Sequence, residues 1–107
     1  MKNPFLKPKV KKESAIERYL VRQVERFGGL IRKVVFPGHR GAPDRVVIFP
    51  GVLVWVELKR PTGVVSVMQD REHERFRAMG QRVEIPRTEH EVDRLVEELY
   101  NESRRIF

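Results

Sequence analysis

The sequence contains no cysteine, so neither a disulfide nor a thiolate metal site can form. Any metal ion must therefore be held by oxygen or imidazole ligands, and the three histidines, His39, His73 and His90, show no ligand spacing. Long apolar runs are also missing: none approaches the roughly 18 residues that a membrane-spanning helix needs, and no hydrophobic segment follows the lysine-rich start. These absences predict a soluble, intracellular protein that has no membrane partner.

Positive charge is in excess, with 22 Lys and Arg against 15 Asp and Glu, a formal net charge of +7 and a pI near 10.2. This balance favours a polyanionic partner, although basic tails also serve solubility alone. Five lysines precede the first acid, Glu13, in an opening stretch that also holds two prolines. We predict a flexible basic arm over residues 1–12 and, because 107 residues are about one domain's worth, a single domain over residues 13–107.

Apolar spacing and chain breakers predict an α/β domain with the element order α-β-β-β-α-β-α. The first helix carries apolar residues at helical spacing and ends at Gly28-Gly29, and the last helix has a clean apolar stripe. The predicted strands are residues 30–36, 44–49, 52–59 and 82–85, and the middle helix covers residues 66–79. Capping boxes are predicted at the helix starts for Ser14 with Glu17, Ser66 with Gln69 and Thr88 with Glu91.

Pro50-Gly51 separates two β-branched runs, which is typical of a hairpin with a two-residue turn. In such a hairpin the numbers of paired positions sum to 101, so Asp44 faces Glu57. Because side chains alternate across a strand, the face that carries Asp44 also carries Trp55, Glu57 and Lys59. This face is apolar near the turn, which favours a core position for Trp55 over stacking on a base, and it is charged at its far end.

Two opposed carboxylates at the end of a hairpin favour a cation between them. Directly opposed residues have Cβ atoms about 4.5–5.5 Å apart, and like charges at that distance destabilise a sheet. Mg²⁺ suits the position because it accepts one or two carboxylates and keeps waters and phosphate oxygens as its other ligands. Each charged residue alone is more often an ordinary turn or surface residue, but the conjunction of Asp44, Glu57 and Lys59 indicates a catalytic centre.

The same residues resemble a known motif, PD-(D/E)xK, which Gly41-Ala42-Pro43-Asp44 and Glu57-Leu58-Lys59 match. Over residues 13 to 96 the wider pattern resembles the virus-type replication-repair nuclease (VRR-NUC) family; it comprises Glu13 to Ile16, Gly28-Gly29, Lys33, Pro37-Gly38 and Ser66-x-x-Gln69. The resemblance implies a restriction-endonuclease-like fold, with a mixed central sheet flanked by helices, and Mg²⁺- or Mn²⁺-dependent cleavage of phosphodiester bonds in DNA. For small phage and bacterial members it further implies homodimers that act on branched DNA, such as four-way junctions or flaps, in DNA repair.

The resemblance also assigns roles to residues of the motif. Asp44 and Glu57 match the family's metal ligands, the backbone carbonyl of Leu58 is a further candidate ligand, and Lys59 matches the catalytic lysine. A cationic Lys59 can orient the attacking water and stabilise the developing charge. Gln69 matches a further family position, from which it can hydrogen-bond the water or Lys59, and its capping box is the structural alternative.

An acid on the first helix is the remaining catalytic candidate. Glu13 and Glu17 lie four residues apart and share a helix face, and the family spacing points to Glu13 as an outer-sphere ligand. If Ser14 caps the helix, Glu13 lies just outside it, and the capping box accounts for Glu17.

Candidates for DNA contact are basic residues of the arm, the first strand and the loop before Asp44. They are Lys11, Lys12, Lys33, His39 and Arg40, each of which is equally compatible with a solvated surface. Two alternative hypotheses remain. The first is a catalytically silent nucleic-acid-binding module with the nuclease fold. The second is an enzyme of another branch of the superfamily, such as an archaeal-type junction resolvase or a restriction-like enzyme. The intact acids and lysine favour an active enzyme in the cytoplasm of a bacterial, archaeal or phage-infected host cell.

Overall fold

A computed structural model describes residues 12–59 and 62–106 of the chain. The elements follow in the predicted order α-β-β-β-α-β-α. They are α1 (Lys12–Arg26), β1 (Leu30–Lys33), β2 (Arg45–Phe49), β3 (Val52–Val56), α2 (Val67–Ala78), β4 (Val83–Glu84) and α3 (Glu89–Ile106). The predicted basic arm lies outside the described residues, except that Lys12 is the first residue of α1. No helix in the described part of the chain is long and apolar enough to cross a membrane.

The four strands form one mixed sheet in the order β1-β2-β3-β4. β1 with β2 and β2 with β3 pair antiparallel, whereas β3 and β4 are parallel. The hairpin has the predicted register, with Phe49 opposite Val52 and Val46 opposite Trp55. The predicted α/β class and mixed sheet are therefore confirmed.

The strands are shorter than predicted at the ends away from the hairpin turn. β1 ends at Lys33 instead of residue 36, and β3 ends at Val56 instead of residue 59. Single backbone hydrogen bonds continue the pairing, from the N–H of Val34 to the carbonyl of Asp44 at 3.0 Å and from the N–H of Glu57 to the carbonyl of Glu84 at 3.0 Å. The residues predicted for catalysis thus lie just beyond the regular ladder, where the chain is still held.

The main core lies between one face of the sheet and the two long helices. Alternate strand residues on this face are buried, and they pack against apolar residues of α1 and the predicted stripe of α3. Burial of each such side chain contributes about 1.5–3 kcal/mol. The core residues of the strands are Ile31, Val47, Phe49, Val52, Val54 and Val56, and those of the helices are Ile16, Leu20, Val24, Val92, Leu95, Val96 and Leu99.

The opposite face of the sheet is covered by α2. Its main apolar contact is a cluster of Phe36, Trp55 and Phe76, whose ring centroids are 5.3 to 5.7 Å apart. The indole Nε1 of Trp55 donates to Oε1 of Gln81 at 3.2 Å. Trp55 therefore packs in this smaller cluster and not in the main core, because the alternation of side chains turns it towards α2.

The helix starts agree with the predicted capping boxes at α2, in part at α3, and not at α1. Ser66 caps α2 with the complete box. Thr88 Oγ1 accepts from the N–H of Glu91 at 3.1 Å, but the Glu91 carboxylate accepts from the N–H of Arg87, one residue before the cap. The box of Ser14 with Glu17 is wrong, because α1 begins at Lys12 and the Glu17 carboxylate binds Arg45 instead of a backbone N–H.

Candidate active site

The loop that leads to Asp44 is fixed against the first turn of α2 at Gly41. The φ of Gly41 is +89°, in the left-handed region that favours glycine. A Cβ at this position would overlap the carbonyl oxygen of Met68 and lie 2.6 Å from its carbonyl carbon and 2.8 Å from the N of Gln69. Pro43, just before Asp44, is fully buried. The backbone before one candidate ligand therefore touches the helix that carries Gln69.

Asp44 directly precedes β2, at the edge of the hairpin. The register, continued by one pair beyond Arg45 and Val56, places Asp44 opposite Glu57. Its side chain is partly exposed, and its Oδ2 lies 3.5 Å from Nη1 of Arg45. The first candidate ligand is thus partly open to solvent, although its Oδ1 is buried.

Glu57, by contrast, is buried, with 5% of its surface exposed. Gln69 Nε2 donates to Glu57 Oε2 at 3.1 Å, and His73 Nε2 lies 3.5 Å from Glu57 Oε1. Gln69 and His73 are four residues apart, so both side chains leave the same face of α2. One helix therefore contacts both oxygens of the second candidate ligand.

Gln69 forms the predicted capping box and also contacts Glu57, while its predicted hydrogen bond to the attacking water or Lys59 stays a prediction. Its Oε1 accepts from the N–H of Ser66 at 3.0 Å, while its own N–H donates to Ser66 Oγ at 3.1 Å. Because the amide oxygen is engaged in the capping box, the amide nitrogen is turned towards Glu57. The box thus sets the orientation in which the amide can hold a carboxylate.

His73 is the site residue that the sequence analysis missed. It is 1% exposed, and burial lowers its pKa, with further lowering by the positive charges of Arg77 and Lys59. The spacing of four from Gln69 was a signal that could have identified it. That signal was weak, because the rotation of α2 about its axis is not readable from one sequence.

Lys59 and Leu58 continue the chain beyond Glu57. Leu58 is 2% exposed and belongs to the main core, so its side chain anchors the segment from the other face of the sheet. Lys59 is half-buried and close enough to His73 to lower the pKa of that imidazole. The positive charge of Lys59 therefore acts on the imidazole that faces Glu57.

The first helix reaches the site through Glu17. Arg45 Nε donates to Glu17 Oε2 at 2.8 Å, a second guanidinium nitrogen contacts the same oxygen, and Nη1 donates to the carbonyl of Asp44 at 3.0 Å. The Arg45 side chain is only 12% exposed. Glu13 lies in the first turn of α1, but its side chain is outside the described residues, so its role stays a prediction.

Three of the five candidates for DNA contact lie on the described surface of the domain. Lys33 is exposed at the end of β1, and His39 and Arg40 are exposed in the loop before Asp44. Lys11 lies outside the described residues, as does the side chain of Lys12.

The donor atoms at this site fit a hard, oxygen-seeking cation. Within residues 12–59 and 62–106 no three His, Asp or Glu side chains are grouped closely enough to enclose a metal ion. Two carboxylates with a backbone carbonyl are the kind of incomplete set that suits Mg²⁺, which takes its remaining ligands from water and phosphate. The partly exposed Asp44 and the buried Glu57 would hold such an ion.

Known proteins resemble this chain in sequence and in fold. No protein-family model matches the chain. The chain is 44% identical to "Putative nuclease p44" of Acyrthosiphon pisum secondary endosymbiont phage 1 over 73 residues, which cover 67% of this chain and 78% of that protein. A solved structure described as a VRR_NUC domain is 41% identical with a TM-score of 0.74, over 80% of this chain and 95% of the other. The likeness in sequence and in fold places the chain in the VRR-NUC family of nucleases.

Proposed function

We propose that the protein is a Mg²⁺- or Mn²⁺-dependent DNA endonuclease with Asp44, Glu57 and Lys59 at its catalytic centre. The observation that supports this most is the burial of Glu57 against Gln69 and His73. Acidic side chains are almost never fully buried unless they are paired, because desolvation of the charge is costly. A buried carboxylate at Glu57, opposite the carboxylate of Asp44, therefore favours a catalytic role over a structural one.

Each side chain of the site has its own role in phosphodiester cleavage. Asp44 and Glu57 would hold the divalent cation, with the carbonyl of Leu58 as a third donor. That cation, when bound, neutralises charge on the scissile phosphate and lowers the pKa of the attacking water. Lys59 stabilises the negative charge that develops on the phosphate, and Gln69 keeps the Glu57 carboxylate in place.

We further propose branched DNA, such as four-way junctions or flaps, as the substrate and a homodimer as the active form. The family resemblance and the small size of the domain support both, since symmetric cleavage of two strands suits a two-fold dimer. The net charge of +7 supports sequence-independent affinity for the phosphate backbone, which should fall steeply with salt. Such an enzyme would act in the cytoplasm of a bacterial, archaeal or phage-infected cell.

The test is cleavage of labelled linear, flapped and four-way DNA with Mg²⁺, with Mn²⁺ and with chelator. We expect metal-dependent cutting, strongest on branched DNA, that is lost in Asp44→Asn, Glu57→Gln and Lys59→Met. Glu84→Gln is the matched control, because Glu84 lies on the neighbouring strand and its carboxylate accepts from Arg82, outside the site. DNA binding without any metal-dependent cutting would overturn the enzyme and indicate a silent binding module.

The dimer is tested separately by gel filtration with light scattering on the full chain. We expect twice the monomer mass of 12.7 kDa at micromolar concentration. A monomer, with or without junction DNA, would contradict symmetric cleavage by a dimer and leave the catalytic centre as proposed.

A further inference from the structure

The buried imidazole of His73 faces the second oxygen of Glu57. The other oxygen, Oε2, already accepts a hydrogen bond from Gln69. His73 Nε2 approaches Oε1 to 3.5 Å and has no hydrogen-bond partner within residues 12–59 and 62–106. A carboxylate oxygen can only accept, so the imidazole nitrogen that faces it is suited to carry the proton.

The distance of 3.5 Å is longer than a normal hydrogen bond. Polar atoms that are buried to this extent are nearly always hydrogen-bonded, and an exception in a native site needs an explanation. Hydrogen bonds at active sites are often long in the free enzyme and shorten when the substrate is bound. The lack of a hydrogen bond to His73 Nε2 in the described part of the chain is explained if its contact to Glu57 shortens to a hydrogen bond when metal and DNA are bound.

We propose that His73 is a positioning residue whose Nε2–H donates to Glu57 Oε1 and, together with Gln69, fixes the orientation of this carboxylate. The inference rests on the proposed function, because it concerns the same catalytic centre. Partners of this kind fix the orientation of a ligand, and their loss typically costs 10- to 100-fold in metal affinity or activity.

A packing role for His73 makes a different prediction. If the imidazole only filled space beneath α2, leucine would serve as well, since its volume is similar and it buries no polar atom. The two roles are separated by substitutions that differ in where they place an N–H. Glutamine places its amide nitrogen near the position of Nε2, whereas asparagine places it near Nδ1.

The experiment compares His73→Leu, His73→Asn and His73→Gln in cleavage kinetics and in calorimetric Mn²⁺ affinity, with thermal unfolding as the test of folding. We expect the leucine and asparagine variants to lose 10- to 100-fold in kcat and in Mn²⁺ affinity, with KM for DNA nearly unchanged. His73→Gln should recover most of both losses. His90→Gln, on the exposed surface of α3, is the control and should match the wild type.

A third readout does not depend on cleavage. Imidazole ¹⁵N chemical shifts should show the Nε2–H tautomer of His73 in the wild-type protein, and Glu57→Gln should shift that resonance.

The outcomes separate the two proposals. The positioning role would be overturned if a folded His73→Leu variant kept full kcat and Mn²⁺ affinity, or if asparagine and glutamine at position 73 restored activity equally. In either case, loss of cutting in Glu57→Gln would still support the proposed nuclease function. If the wild-type protein cuts no DNA, the proposed function fails, and the tautomer with its response to Glu57→Gln decides the contact by itself. If the histidine variants do not fold, an Nε2 without a proton overturns the positioning role.

Discussion

Gly41→Ala is the substitution that tests most directly whether the loop before Asp44 is built against α2. A Cβ at position 41 would lie 2.6 Å from the carbonyl carbon of Met68, which is 0.4 Å inside the 3.0 Å that real Cβ atoms respect, and it would overlap the carbonyl oxygen. These are backbone atoms of the first turn of α2, so no side-chain rotation can relieve the overlap. Either the loop or the helix start must move.

The expected loss of stability has three parts. The positive φ costs about 1–2 kcal/mol in a residue with a Cβ, and the overlap with a packed backbone costs about 1–3 kcal/mol more. The smaller conformational freedom of alanine in the unfolded chain returns about 0.4–1 kcal/mol. Gly41→Ala should therefore lower the free energy of unfolding by about 3 kcal/mol, which corresponds to a fall in Tm of roughly 12–24 °C for a domain of this size.

Gly38→Ala is the matched control, because Gly38 lies in the same loop with a φ of +79° and nothing within 4 Å of its added Cβ. It carries the backbone cost without the overlap, so it should lose only about 1 kcal/mol. Denaturant unfolding measures both losses, and cleavage assays should show a slower Gly41→Ala enzyme and an unchanged Gly38→Ala enzyme. Equal losses for the two variants, within about 0.5 kcal/mol, would refute the contact with α2.

Two further predictions compare a contact at the site with a similar contact elsewhere. Ser66→Ala and Thr88→Ala each remove a helix cap, and each should lower the free energy of unfolding by about 1 kcal/mol. Only Ser66→Ala should slow cleavage, because the Ser66 cap orients the Gln69 amide beside the buried Glu57 carboxylate. Equal cleavage rates for the two variants would contradict this. Glu17→Gln removes the negative charge that pairs with the mostly buried guanidinium of Arg45 and should cost about 1–3 kcal/mol. Glu74→Gln breaks an exposed ion pair and should cost less than about 0.5 kcal/mol, so similar losses for the two glutamine variants in denaturant unfolding would be evidence against a special role for the Glu17 contact.

The hairpin, and which of its side chains share a face, could be predicted from the sequence because both depend only on local rules. Pro50-Gly51 sets the turn, the turn sets the register, and the register decides that Asp44 and Glu57 lie opposite one another. No knowledge of the rest of the fold is needed for this step. The capping box of Ser66 with Gln69 was predictable for the same reason, since its hydrogen bonds join residues three apart.

The features that the sequence could not supply all depend on how distant elements meet. Ser14 has the residue pattern of a cap, but the carboxylate of Glu17 is drawn to Arg45, which is 28 residues away. Trp55 was expected to pack in a core, but the sequence did not show that this core is the smaller cluster beneath α2. His73 could not be identified as a site residue from the sequence, because its contact to Glu57 depends on how α2 packs over the sheet.

The way α2 is attached to the sheet links the stability of the fold to the candidate site. The buried residues of this helix are Glu72 and His73, both polar, and its main apolar contact to the sheet is the Phe76 ring. A helix with so little apolar burial gains little from the hydrophobic effect, so its position depends on specific contacts. Those contacts include the Gly41 loop at its first turn, Glu57 along its inner face, and the hydrogen bond from Arg77 Nη2 to the carbonyl of Val83 at 3.1 Å. Some of the contacts that hold the helix on the domain therefore also orient the Glu57 carboxylate.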